Sequence, residues 1–89
     1  MRRILQGNQF RRDYKRQEKR GKDMEKLEVA VALLVRNGTL PSSYRPHRFG
    51  GEWKGWWECH IAPDWLLIYD INEEELLLAR TGTHADLLE

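Results

Sequence analysis

The chain has 89 residues, 40% of them hydrophobic and 33% charged, with a net charge of +1. That is the length of one domain, spanning residues 1–89, which buries only about 60–65% of the surface its unfolded form exposes. The uncharged apolar runs at residues 29–35 and 65–69 are too short to cross a bilayer, the basic start of the chain lacks the apolar core of a signal peptide, and one cysteine makes neither an internal disulfide nor a multi-cysteine zinc site; the pattern fits a protein of the reducing cytoplasm.

Charge is distributed unevenly. Residues 1–26 carry ten Lys/Arg against four Asp/Glu, and residues 27–89 carry five against ten. Residues 1–5 predict a short edge strand. Asn8 is the expected N-cap of a helix running to about Arg20 and ended by Gly21. Its apolar stripe is narrow, Phe10 and Tyr14, and its exposed face is basic: Arg11, Arg12, Lys15, Arg16, Lys19 and Arg20. A basic face of this kind is either simply solvated or faces a polyanion. Asp23 is the expected cap of a second helix from Met24 to about Arg36, with Leu27, Ala30, Val31, Leu34 and Val35 at helical spacing and Asn37-Gly38 as its stop.

The segment from Leu40 to Gly51, with two prolines and two glycines, reads as an ordered loop. Three strands follow: Glu52 to Ile61, interrupted at Gly55; Trp65 to Ile71; and Glu75 to Thr81. Pro63-Asp64 and residues 72–74 supply the turns. Both connections are too short for a crossover, so these strands are antiparallel. His84 to Leu88 predicts one last helical turn capped by Thr83. The sum is an α+β design: a two-helix hairpin packed on a small, mostly antiparallel sheet, with a short C-terminal helical turn.

Residues 53–69 hold all four tryptophans, the cysteine and His60, and His47 and His84 flank them. His60 ends one strand and Asp64 begins the next. His84 follows the last strand, which lies beside the strand of Trp65, and His47 sits just before the sheet. Four segments therefore converge at one edge, carrying groups suited to proton transfer near neutral pH. Each has a plainer reading as well. The histidines serve as surface residues, Asp64 as a turn residue after Pro63, and the tryptophans as core. Histidine spacings of thirteen and twenty-four residues match no compact zinc motif. Trp56 and Trp57 are adjacent on a strand and point to opposite faces, so one of them is placed to stack on a nucleic-acid base.

The segments Leu40-Pro41, Tyr44-x-x-His47, Gly51-x-Trp53-Lys54-Gly55, His60-x-x-Pro63-Asp64-Trp65-x-Leu67-Ile68-Tyr69 and Arg80-Thr81-Gly82-Thr83-His84-Ala85-x-Leu87, with the turn Lys22-Asp23-Met24, cover nearly the whole chain in order. In combination they resemble the YafQ-type toxins of bacterial type II toxin–antitoxin systems, within the RelE/ParE superfamily. The resemblance implies a RelE-like fold and a ribosome-dependent endoribonuclease that cuts mRNA in the A site of the small subunit. It implies 2′-hydroxyl attack with no metal and no cofactor. It places catalysis on His47, His60, Asp64 and His84, with His84 as general acid and the base among Asp64, His47 and His60. It places substrate contacts on Arg80, Trp65, Lys54 and Leu88, the last standing where the family often carries an aromatic. A cognate antitoxin of the DinJ/RelB kind is the implied partner; DNA would be met only through that antitoxin, and no membrane is involved. The alternatives within the same fold are a ParE-like gyrase inhibitor, a catalytically inactive antitoxin- or RNA-binding protein, and a ribonuclease that works without the ribosome.

Overall fold

The computed structural model describes residues 1–50 and 55–88, with Leu88 placed by its backbone alone. Strand β1 (Arg3–Gln6) leads into helix α1 (Asn8–Lys19) and helix α2 (Met24–Asn37). A 3-10 turn (Ser42–Tyr44) and a two-residue strand, β2 (His47–Arg48), come next. Strands β3 (Trp57–Ala62), β4 (Trp65–Ile71) and β5 (Glu75–Gly82) follow, and then helix α3 (His84–Leu88). The sheet order is β1-β5-β4-β3-β2. β1 runs parallel to β5, and the remaining neighbours are antiparallel. This is the α+β arrangement expected, a helical hairpin on a mostly antiparallel sheet. No helix of the described residues is long and apolar enough to cross a membrane.

The helix ends follow from local chemistry. The Asp23 carboxylate accepts from the Glu25 N–H at 3.2 Å, satisfying an otherwise orphaned donor of α2. Gly38, at φ 76°, closes the same helix by donating its N–H to the Leu34 carbonyl at 2.9 Å. The start of α1 departs from expectation. Gly7 is its N-cap, no side chain caps it, and Asn8 is already helical. The Gly7 N–H is tied to the Leu78 carbonyl at 3.1 Å, so the helix starts directly where β1 leaves the sheet.

Two further expectations are corrected. The supposed loop from Leu40 to Gly51 contains the 3-10 turn and β2, because His47 and Arg48 pair with Glu58 and Trp57. The following strand begins at Trp57; Glu52, Trp53 and Lys54 lie outside the described residues.

β4 is buried on both faces, which is why it reads as an unbroken apolar run. Trp65, Leu67 and Tyr69 pack with Phe10, Leu27 and Leu34 under the two long helices. Leu66 and Ile68 point to the opposite face, covered by Leu87 of α3 and bordered by Phe49, Trp56 and Ala79. Trp56 and Trp57 divide between the two faces as alternation requires. Trp57 stacks on Tyr69 with centroids 6.4 Å apart and carries the Arg48 guanidinium 5.0 Å from its ring centre. Cross-strand partners share a face, so the pairs His47–Glu58, Glu58–Ile68 and His60–Leu66 set both histidines and Glu58 on the face away from α1 and α2.

Candidate active site

The second face of the sheet carries an arc of titratable groups at the ends of β2, β3, β4 and β5. At one end Asp64, in the β3–β4 turn, meets His84 at the start of α3. The His84 ring donates from Nδ1 to Asp64 Oδ1 at 2.7 Å, and the His84 backbone N–H donates to the same oxygen at 3.0 Å. A carboxylate that accepts at Nδ1 fixes the ring and directs Nε2 away from it. The two hydrogen bonds from His84 hold Asp64 below the usual carboxylate range.

His60 lies next along the arc, its ring centroid 6.0 Å from that of His84. A register shift between His60 and Ala62 marks a bulge in β3, a device that re-aims side chains at strand ends. Burial pushes the His60 imidazole below its ordinary value; the Glu58 charge opposes this without overcoming it. His60 Nδ1 is buried and makes no hydrogen bond.

At the other end His47 is held between two acceptors. Its Nδ1 faces the Arg45 carbonyl at 3.1 Å and its Nε2 faces Glu58 Oε1 at 3.0 Å. Arg45 reaches this position at φ 50°, the one non-glycine residue with positive φ among the described residues. A non-glycine residue in that region costs on the order of 1–3 kcal/mol, and such strain is concentrated at functional sites. Glu58 was not expected from the sequence. It is only 5% exposed, and its second oxygen has no hydrogen-bond partner. The available signal was its place two residues before His60 on a strand, which puts both on one face.

The expected substrate contacts fare differently. Trp65 is corrected to a structural residue. Its indole is 2% exposed, donates from Nε1 to Thr81 Oγ1 at 2.9 Å, and is overlain by the Lys22 ammonium 5.4 Å from the ring centre. No ring face is left for a base. Arg80 pairs across the sheet with Ile68, on the arc's face, but commits Nε and Nη2 to Asp13 at 2.7 and 3.3 Å. Asp13 is 1% exposed and also accepts from the Thr81 N–H at 3.2 Å. Arg80 is thus an anchor of α1 on β5 that retains Nη1 for other partners. Lys54 and the Leu88 side chain lie outside the described residues.

The position of α3, and with it His84, is set by Asp86. Arg20 donates to both Asp86 oxygens at 2.7 and 3.2 Å, Gln17 donates at 3.3 Å, and the Thr83 N–H donates at 3.0 Å. The Arg20 guanidinium holds the Asp86 carboxyl far below the carboxylate range. Thr83 caps the helix as expected, its hydroxyl accepting from the Asp86 N–H at 3.1 Å. Among the described residues no three His, Cys, Asp or Glu side chains are grouped to hold a metal ion.

A helical hairpin on one face of a five-stranded sheet, with three histidines and two carboxylates gathered on the other, defines a small α+β protein with a cluster of proton-exchanging side chains on its open face. A family model described as "Bacterial toxin of type II toxin-antitoxin system, YafQ" matches residues 2–89. The chain belongs to this YafQ toxin family. It is 44% identical over 85 residues to the mRNA interferase toxin YafQ of Escherichia coli K12, covering 94% of this chain and 92% of that one. The crystal structure of YafQ from E. coli superposes with a TM-score of 0.93 at 41% identity, covering all of both chains. The toxin of the E. coli DinJ–YafQ complex superposes at 0.91 with 42% identity, again over the whole of both chains.

Proposed function

We propose that this protein is a ribosome-dependent mRNA endoribonuclease that uses side chains alone for proton transfer. The observation that carries this reading is the facing of two imidazoles in different surroundings. The His84 ring is fixed by Asp64 with Nε2 directed away from that carboxylate, and His60, kept neutral by burial, lies 6.0 Å from it. The 2′-hydroxyl of one nucleotide attacks the adjacent phosphorus, and His60 takes its proton. The bond from phosphorus to the 5′-oxygen breaks, and His84 Nε2–H protonates that oxygen. The products are a 2′,3′-cyclic phosphate and a 5′-hydroxyl end. DNA, lacking the 2′-hydroxyl, is not cut.

Among the three possible bases, His60 is favoured on physical grounds. Asp64 is engaged by His84 and is made a weaker base by it. Both His47 nitrogens already meet oxygen acceptors, so neither is free to take the 2′-proton, and Arg80 Nη1 is the cation that would stabilise charge on the phosphate. The ribosome supplies in-line geometry that free RNA rarely adopts. Such a role places the protein in the cytoplasm.

The E. coli relative is described in complex with DinJ, and by that likeness this toxin is held by a cognate antitoxin of the same kind. A seat for it is the groove of about 640 Å³ between the exposed strand β1 and the two long helices, lined by Ile4, Phe10, Val31 and Val35. The decisive experiment compares the protein with His84→Ala in a reconstituted translation reaction, each with and without ribosomes. Cuts that need ribosomes, fall at least about a hundredfold with His84→Ala and stop on adding the antitoxin are expected. Cuts on naked RNA, or none under any condition, overturn the reading.

A further inference from the structure

His60 belongs to two surfaces at once. On one side it completes the arc with His84. On the other it forms a wall of a polar groove of about 400 Å³ that the arc does not use. The other walls are Glu25, Lys26 and Val29, from the first turns of α2, Ser43 and Tyr44 of the 3-10 turn, and Ile61 of β3. A volume of this size suits one small ligand moiety.

The groove is built from unlike parts, and each is in an available state. Tyr44 is half-buried and packs against the main core, so its ring is a fixed wall. Val29 is 48% exposed, an apolar surface with no core to join. Lys26 is exposed and takes part in none of the ion pairs among the described residues. Glu25 uses its backbone N–H on the Asp23 cap, and its exposed carboxylate makes no ion pair among those residues either. A rigid aromatic ring, an aliphatic patch, a cation and an acceptor together match one unpaired nucleotide: base on ring, phosphate on ammonium, base edge on carboxylate.

We propose that this groove is the subsite for a nucleotide flanking the scissile bond, with Tyr44 as its stacking platform and Lys26 as its phosphate contact. The proposal rests on the nuclease reading above and extends it along the RNA strand. β2 pairs only with Trp57 and Glu58, so β3 is the edge of the sheet at His60, and a strand whose phosphodiester lies between His60 and His84 can pass round that edge to put its neighbouring nucleotide in the groove on the α2 side. Glu25 then favours bases that present an N–H donor towards it.

The test is cleavage by the full chain in the reconstituted translation reaction. Wild type, Tyr44→Leu, Tyr44→Phe and Lys26→Glu are compared on intact mRNA and on mRNA with an abasic nucleotide on either side of the cut. Tyr44→Leu is expected to lower kcat/KM about tenfold on intact mRNA, and Tyr44→Phe to restore it. On one of the two abasic templates, Tyr44→Leu has no further effect, because base and ring act as one unit. Lys26→Glu, at an exposed position that tolerates the change, raises KM about tenfold with little change in kcat. Cleavage by wild type with both Lys26→Glu and Tyr44→Leu unaffected overturns the subsite, as does a Tyr44→Leu loss of equal size on all three templates. Unchanged cleavage with weakened antitoxin binding assigns the groove to a peptide and overturns it too. No cleavage by wild type overturns the nuclease reading and takes the subsite with it.

Discussion

At His60 a half-buried imidazole lies near the buried Glu58 carboxylate, and desolvation is the stronger influence. Its proton therefore leaves below the ordinary histidine value of 6.5, and at neutral pH the ring is an unprotonated base. Cleavage is expected to fall on the acid side with a midpoint below 6.5, and His60→Gln should abolish that limb while slowing turnover about a hundredfold. A pH profile of single-turnover cleavage checks this; an unchanged acid limb in His60→Gln would assign the base to Asp64 or His47. The convergence of His60, Asp64 and His84 was legible from sequence. A tight turn after His60 and an antiparallel return to His84 leave few other arrangements. Glu58 was not legible, because its burial depends on His47 arriving from a strand of only two residues. Trp65 misled for the opposite reason. Its residue type suggests stacking on a ligand, whereas its ring is sealed by Thr81 and Lys22 from two distant elements.

Among the elements, α3 depends most on its surroundings. At five residues it is far too short to be stable alone, and Asp86 pins it to α1. Gly82, just before it, leaves room for that carboxylate: a Cβ there would lie 2.9 Å from Asp86 Oδ2 and 3.0 Å from Asp86 Cβ. Gly82→Ala should therefore cost about 2 kcal/mol and lower cleavage more than the lost stability explains, since His84 shifts with the helix. Thermal unfolding together with turnover below the unfolding range checks this; full turnover at lowered Tm would show that the clamp is purely structural. β4 was read to the residue, because its apolar run ends at Pro63-Asp64 and Asn72. The ion pair of Arg80 with Asp13, bridging 67 residues, had no sequence signal, and Arg80 read as a free cation for phosphate.

For the molecule as a whole, the perturbed groups bracket a range of stability. His60, Asp64 and Asp86 bind protons less readily folded than unfolded. Their contributions are complete above their unfolded values and are lost as pH falls through the folded ones. Cys59, buried and pushed up to about 12, and Tyr69, also raised by burial, hold their protons more tightly when folded. Their contributions are complete below the unfolded values, 9.0 for the thiol, and fade as pH rises. Urea midpoints are expected to be flat between pH 6.5 and 9.0 and to decline on both sides; a maximum outside that window would contradict these assignments. The basic character of α1 is narrower than composition suggests. Arg16 and Arg20 are spent on Asp86, leaving Arg11, Arg12, Lys15 and Lys19 outward.

The parallel pairing of β1 with β5 has a consequence in time. Arg3 lies against Glu75, and the two are 72 residues apart in the chain. Contacts of such long range are made late and slowly, because the loop must close before any of its bonds form. During synthesis β1 must wait, unpaired, until β5 exists, and His84 is made later still. A chain in the course of translation thus holds neither a finished sheet nor a facing pair of imidazoles. Under the proposed nuclease function, cleavage of a message must wait until β5 and α3 have both been made.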